Sequence, residues 1–273
     1  MRAALTSAQS LVFPRRPEIY LQGSYRNATN IYGDSDVDVV VELQSTFYKD
    51  VSNLDAAQIS LQAAAYGPGA VTFETLKEEV LRTLQDYYGS SRVRLRDKCI
   101  KVNFGPGRIT ADVVPAFQHR RYTFFYGPGL EGKADGIQFQ DRAGVPIINF
   151  PKQHIENGET KNAANRTGEQ YKPIVRVFKN IRNRLVSDRE LGADVTPSYC
   201  VECLLYNVDD FCFGPRFQTT FTNIIANLGR KTPDSFVCQN GILPLFGNSP
   251  VQWNLAAAVQ FLRAVQRLWD NWR

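Results

Sequence analysis

A chain of 273 residues, 43% hydrophobic and 22% charged, is long enough for one sizeable domain or two smaller ones, and its balance excludes collagen, coiled coil and wholesale disorder. Its 32 basic and 27 acidic residues give a net charge of +5, too even for a general nucleic-acid-binding protein but compatible with one local basic stripe. Neither a secretory signal in "MRAALTSAQSLVFPRRPEIYLQ" nor the roughly 20 apolar residues of a membrane span is found, so a cytoplasmic protein without membrane attachment is expected.

In chain order, "IYLQ" reads as a strand that feeds Gly23-Ser24, and "SDVDVVVEL" has the β-branched run and two-residue alternation of a second strand. Residues 73 to 88 place Phe73, Leu76, Val80 and Leu84 at helical spacing, with Thr72 as N-cap and Gly89 as the stop. "VRLRDKCIKVNFGPGRITADVVPAF" gives two strand-like runs joined by Gly105-Pro106-Gly107, which predicts a β-hairpin. From about Lys133 to Gly168 the pattern weakens, and "FPKQHIENGETKNAANRTG" reads as a long polar loop or lobe junction. Helices are predicted over 171–185, 197–208, 216–228 and 251–269, so a mixed α/β lobe over 1–152 is followed by a helical lobe over 153–273. The five cysteines (Cys99, Cys200, Cys203, Cys212, Cys238) are odd in number and irregular in spacing, which favours free thiols over a disulfide framework.

Residues i and i+2 of a strand share a face, so Asp36 and Asp38 project side by side while Val37 and Val39 turn away. Asp112, among apolar neighbours in the second arm of the hairpin, is a third lone carboxylate. Such aspartates are often plain strand-edge or turn residues. Three together would make an oxygen-rich pocket suited to Mg²⁺, and two ions of that kind clamp the attacking and leaving oxygens of a phosphoryl displacement. Upstream, Gly23 lets the backbone approach a phosphate and Ser24 adds a hydroxyl donor at a turn into a helix.

With "GSYRNATNIYGDSDVDVVV" and the distal "ADVVPAF", the chain resembles the nucleotidyltransferases of the DNA polymerase β-like fold, and more closely the cGAS/DncV-like nucleotidyltransferases, bacterial cyclic-oligonucleotide synthases of anti-phage defence. The resemblance runs from about Tyr20 to Tyr206. It implies an α+β fold, with a polymerase β-like core built on a mixed sheet and a C-terminal helical lobe similar to that of the oligoadenylate synthases, closing a nucleotide cleft. By the same resemblance Asp36, Asp38 and Asp112 bind two Mg²⁺ ions, with Mn²⁺ as an alternative, Asp112 activates the acceptor hydroxyl, and Gly23 and Ser24 hold the donor's β- and γ-phosphates. Only 22 residues precede Gly23, where the family carries a longer N-terminal helix, so either the start is trimmed or another element serves as the brace, the helix from Val251 to Trp269 being the candidate.

In "YKPIVRVFKNIRNRL", Ile174, Phe178, Ile181 and Leu185 share one helical face, while Lys172, Arg176, Lys179 and Arg182 gather on another, either as a solvated face or as a phosphate-binding one. The resemblance implies that Arg176 and Lys179 reach the triphosphate, and that Ser198 and Tyr199 open a helix whose tyrosine ring stacks on the donor base; a core tyrosine is the plain alternative. Cys200 and Cys203 lie within an apolar helix and lack converging partners for zinc. His119 and His154 do not match the zinc insert by which cGAS grips DNA, so activation by nucleic acid is not implied. Asn157, Asn162 and Asn165 lie where the resemblance suggests base contacts, and in one subgroup an Asn there accompanies pyrimidine use; turn chemistry explains such residues equally well.

The expected activity is the joining of two nucleoside triphosphates into a cyclic dinucleotide, uridine-containing in one version, by a monomer whose product acts on a downstream effector. The alternatives are a nucleotidyltransferase making linear products or modifying an RNA end or small acceptor, and a silent nucleotide-binding module.

Overall fold

The computed structural model describes residues 1–32 and 36–271. The helices are α1 (Arg2–Leu5), α2 (Gly23–Asn27), α3 (Ala56–Ala65), α4 (Phe73–Tyr88), α5 (Pro151–Asn162), α6 (Ala164–Thr167), α7 (Tyr171–Ser187), α8 (Ser198–Tyr206), α9 (Phe217–Leu228) and α10 (Leu255–Asp270). The strands are β1 (Glu18–Gln22), β2 (Val37–Asp50), β3 (Val93–Leu95), β4 (Ile100–Val102), β5 (Ala111–Phe125), β6 (Glu131–Gln140) and β7 (Pro146–Asn149). The chain divides into two units, Met1–Gln22 with Asp36–Phe150, and Gly23–Ser35 with Pro151–Arg273. The second division falls two residues before the sequence-based boundary, and Gly23–Ser35 groups with the helices rather than with the sheet that flanks it in sequence.

The first unit is built on one mixed sheet ordered β1-β2-β5-β4-β3, with β6 pairing β5 and β7 pairing β6. Only β2 and β5 run parallel. Val39, Val40, Val41 and Leu43 of β2 and Val113 to Phe117 of β5 are buried, successive residues facing opposite sides of the sheet, and such two-sided burial is why these runs are almost continuously apolar. Helix α4 forms as its spacing predicts: the Thr72 side chain accepts from the Thr75 amide, Phe73, Leu76, Val80 and Leu84 are buried, and Gly89 ends the helix at φ +88°.

The structure forms β6, β7, α5 and α6 over the stretch 133–168, which corrects the long-loop reading, while the alternative of a lobe junction agrees with the division at Phe150/Pro151. The apolar signal is missing for a packing reason. A Cβ on Gly136 of β6 would lie 2.5 Å from the Asn149 carbonyl oxygen and 2.8 Å from the Phe150 ring, so the strand uses glycine for close approach. Helix α5 buries Pro151, His154, Gly158 and Lys161, a polar and small-residue face that carries no hydrophobic period.

In the second unit, Phe178 of α7 stacks on Phe221 of α9 at 5.6 Å between centroids, and Phe221 on Trp269 of α10 at 4.1 Å. The Trp253 indole donates to the Val195 carbonyl at 2.8 Å, so this buried ring has its polar group satisfied. Helix α10, expected as a brace, packs against α7 of the same unit. Cys200, Cys203, Cys212 and Cys238 are buried as free thiols, and Cys99 is half-buried and free.

Candidate active site

The parallel pairing of β2 with β5 puts Asp38 opposite Asp112, and the antiparallel pairing of β4 with β5 puts Lys101 opposite Asp112 on its other side. Asp36 stands immediately before β2, two residues from Asp38. Its Oδ2 accepts from the Lys101 ammonium at 2.5 Å, and its Oδ1 accepts from the Thr110 hydroxyl. The same ammonium lies 4.0 Å from Oδ1 of Asp112. That oxygen is buried with no hydrogen-bond partner, and the Cys99 thiol is a neighbour of the Asp112 carboxylate. The structure thus brings the three predicted carboxylates to one edge of the β2–β5 ladder.

These neighbours drive the carboxylates in opposite directions. For Asp36, burial alone would raise the pKa, but hydrogen bonds from Lys101 and Thr110 and the lysine's charge outweigh it and hold the group below its ordinary range. For Asp112, burial, aided by the charge of Asp36, outweighs Lys101 and Cys99 and pushes the carboxyl up. The hydrogen bond to Asp36 raises Lys101, and burial with the Asp112 carboxylate pushes the Cys99 thiol up to about 12.

Hard oxygen donors on facing strands, one with an unsatisfied buried oxygen, fit a divalent cation in chemistry. Among the described residues no three His, Cys, Asp or Glu side chains already stand as a metal cage. The cation facing Asp36 and Asp112 is the ammonium of Lys101.

Gln22, opposite Asp38 in the β1–β2 register, is followed by Gly23 at φ +70°, where α2 begins. This left-handed backbone suits glycine. The Ser24 carbonyl accepts from the Thr29 amide at 2.9 Å, closing the short helix. The segment is then anchored within its unit by Glu202 of α8, whose carboxylate accepts from Asn27 Nδ2 (3.2 Å), Thr29 Oγ1 (2.8 Å), Lys179 Nζ (2.5 Å) and His154 Nε2 (3.1 Å). Burial alone would raise this carboxyl, but His154 and Lys179 overcome it and bring it down to about 2.

Lys179 is held in the interior of its unit rather than on a basic surface. It is 2% exposed, and its ammonium is taken by Glu202 and by the carbonyl and hydroxyl of Thr29. Counting it on a basic face fails because a lysine stem reaches the interior as readily as solvent, and its partner lies 23 residues further along the chain. Lys172 is also buried, paired with Glu159 at 2.7 Å. Arg176 remains part of the predicted surface, with Nη1 donating to the Ala28 carbonyl at 2.6 Å.

Ser198 and Tyr199 open α8 as the sequence predicts. The Tyr199 ring stacks on His154 at 5.2 Å and 24°. Burial above all raises the pKa of its hydroxyl, with Cys203 and Cys238 as the neighbouring groups that add to the shift. The three asparagines do not form one cluster of free amides. Asn157 donates to the Gln239 carbonyl at 2.9 Å, Asn162 accepts the Lys172 amide at 2.9 Å near the start of α7, and Asn165 is exposed on α6. The first two each make one structural hydrogen bond, through Nδ2 of Asn157 and Oδ1 of Asn162.

Glu202, His154, Lys101, Thr110 and Cys99 escaped the sequence-based list. Lys101 alone left a usable trace, as a cation alternating with apolar residues in "CIKV", two residues from Cys99.

Comparison with known proteins accords with this geometry. Residues 156–270 match the cGAS/DncV-like nucleotidyltransferase C-terminal helical domain. The chain is 43% identical to the cyclic UMP-AMP synthase of Rhodothermus marinus over 94% of this chain and 86% of that protein. It is 34% identical to the cyclic dipurine nucleotide synthase of Elizabethkingia meningoseptica over 89% and 82%. Among solved structures, the Rhodothermus marinus CdnE c-UMP-AMP synthase with Apcpp and Upnpp matches with a TM-score of 0.85 and 41% identity, covering 99% of this chain and 89% of that one. A mixed sheet carrying three aspartates, a helical unit of the matching kind and this degree of likeness along nearly the whole chain lead to one conclusion: the protein belongs to the cGAS/DncV-like nucleotidyltransferases.

Proposed function

We propose that this enzyme joins two nucleoside triphosphates into a cyclic dinucleotide, one base of which is uracil, with release of pyrophosphate, and that the product is a second messenger of anti-phage defence acting on a downstream effector. The observation that carries the reading is the register of β2 against β5, which pairs Asp38 with Asp112 beside Asp36. The 43% identity to a cyclic UMP-AMP synthase supports a mixed pyrimidine–purine product.

In this reading Asp36, Asp38 and Asp112 hold Mg²⁺. When bound, the ion neutralises phosphate oxygens and favours in-line displacement at the α-phosphate. Asp112, whose Oδ1 carries no hydrogen bond, takes the proton from the attacking ribose hydroxyl. Gly23 and Ser24 hold the donor's terminal phosphates, with Arg176 as a further guanidinium donor. Tyr199, helped by Ser198 at the same helix start, stacks on the donor base and contributes affinity with little selectivity. Asn157, Asn162 and Asn165 are the candidates for base discrimination, Asn165 being the exposed one. The enzyme works as a cytoplasmic monomer; among the described residues no helix is long and apolar enough to cross a membrane.

The test is incubation with Mg²⁺ and all four ribonucleoside triphosphates, each radiolabelled in turn, followed by phosphatase. A phosphatase-resistant product carrying uridine and adenosine label is expected. Products that lose terminal phosphates to phosphatase and leave an open dinucleoside monophosphate would instead indicate linear synthesis.

A further inference from the structure

Lys101 is the residue of the carboxylate site that the proposed chemistry leaves without a role. It is fixed from two sides. Its backbone is the register partner of Asp112, and its ammonium sits 2.5 Å from Asp36 Oδ2 and 4.0 Å from Asp112 Oδ1. The Thr110 hydroxyl donates to the other oxygen of Asp36, and Arg96 adds positive charge toward Asp112. Facing carboxylates repel unless a cation stands between them. Lys101 supplies that cation from within the chain, on a stem long and flexible enough to withdraw.

We propose that Lys101 is the resident counter-ion of this site: its ammonium neutralises Asp36 and Asp112 before metal arrives, is displaced when a divalent cation binds, and by that competition holds down the affinity of the nucleotide-free enzyme for metal. The inference rests on the reading that the three aspartates hold the ion. Its consequence is that metal enters productively with the triphosphate, whose own charges repay the displacement of the ammonium, rather than as a permanently held ion.

The test is Mn²⁺ binding to nucleotide-free protein, read from the electron paramagnetic resonance signal of free Mn²⁺ and from the Mn²⁺-dependent rise in melting temperature. Wild type is compared with Lys101→Met, Lys101→Arg and the double variant Asp36→Ala/Asp38→Ala, with circular dichroism reporting the fold. Lys101→Met is expected to bind Mn²⁺ about tenfold tighter than wild type, a modest share of a charge–charge contact at this distance. Lys101→Arg, which keeps the charge, is expected to stay near wild type, and should Lys101→Met not fold without metal, its refolding on Mn²⁺ addition gives the same answer. Equal or weaker Mn²⁺ binding by folded Lys101→Met overturns the counter-ion role. Mn²⁺ binding that survives unchanged in the double aspartate variant, or is absent from every form, instead overturns the assignment of the metal to these carboxylates, and the inference with it.

Discussion

Glu202 and Lys179 form an ion pair of 2.5 Å with side chains only 4% and 3% exposed, and the same carboxylate accepts from Asn27, Thr29 and His154. A carboxylate so well supplied with donors is stable in the interior, whereas either charge alone would not be. Removal of one partner by Glu202→Leu is expected to destabilise the protein by roughly 3–5 kcal/mol, and the double variant Glu202→Leu/Lys179→Met to recover part of that loss. Urea unfolding of the wild type, both singles and the double closes the cycle.

The same pair gives stability a definite pH dependence. Glu202 falls from an ordinary 4.5 to about 2 in the folded chain, so the unfolded chain binds the proton more readily. The contribution is fully present above the unfolded value and is lost as pH drops from about 4.5 toward 2. Asp36, Asp209 and Asp210 are shifted the same way, so the diagnostic quantity is a difference: between pH 6 and pH 3, on the axis set by ordinary carboxylate values of about 4, wild type should lose more stability than Glu202→Gln.

Loss of Asp36 and Asp38 tests the chemistry. Asp36→Ala/Asp38→Ala should reduce dinucleotide formation to background while the circular dichroism spectrum stays that of the wild type, because both side chains lie at the edge of the β2–β5 ladder rather than among the buried valines that follow. Retained product would remove the mechanism.

At Tyr199, ring and hydroxyl separate cleanly. The ring stacks on His154, and the hydroxyl is in buried surroundings that raise its pKa. Tyr199→Phe should change stability by no more than about 1 kcal/mol, the net worth of a typical hydrogen bond, and leave KM for the donor unchanged. Tyr199→Ala should raise KM by roughly ten- to a hundredfold if one base stack is lost, measured by steady-state kinetics at a temperature where both variants are fully folded.

Gly136 tests the packing of the first unit. Alanine there meets a backbone carbonyl 2.5 Å from its Cβ, so Gly136→Ala should destabilise by about 1–3 kcal/mol, as overpacking does, in thermal or urea unfolding.

What could be read from the sequence follows the kind of signal each residue leaves. Helix α4 and the strand after Ser35 were legible because local periodicity and capping residues decide them. Asp36, Asp38 and Asp112 were legible because bare carboxylates among valines are costly without a purpose. Strand β6 was not, since its glycines serve contacts with Phe124 and Asn149 that no local window contains. The burial of Lys179 depends on Glu202 and Thr29, and a charge pattern along one helix cannot show what lies opposite it.

The grouping of Gly23–Ser35 with the helices bears on how the chain is made. Asn27 is 175 residues away from Glu202, its hydrogen-bond partner. During synthesis at about 5–20 residues per second, the N-terminal segment emerges roughly 9–35 seconds before the carboxylate that fixes it. Throughout that interval Asn27 and Thr29 lack their partner while the strands on either side of them can already pair. The ribosome thus delivers the Gly23–Ser24 turn early and its anchor late, so the turn acquires its final shape only after α8 has been translated.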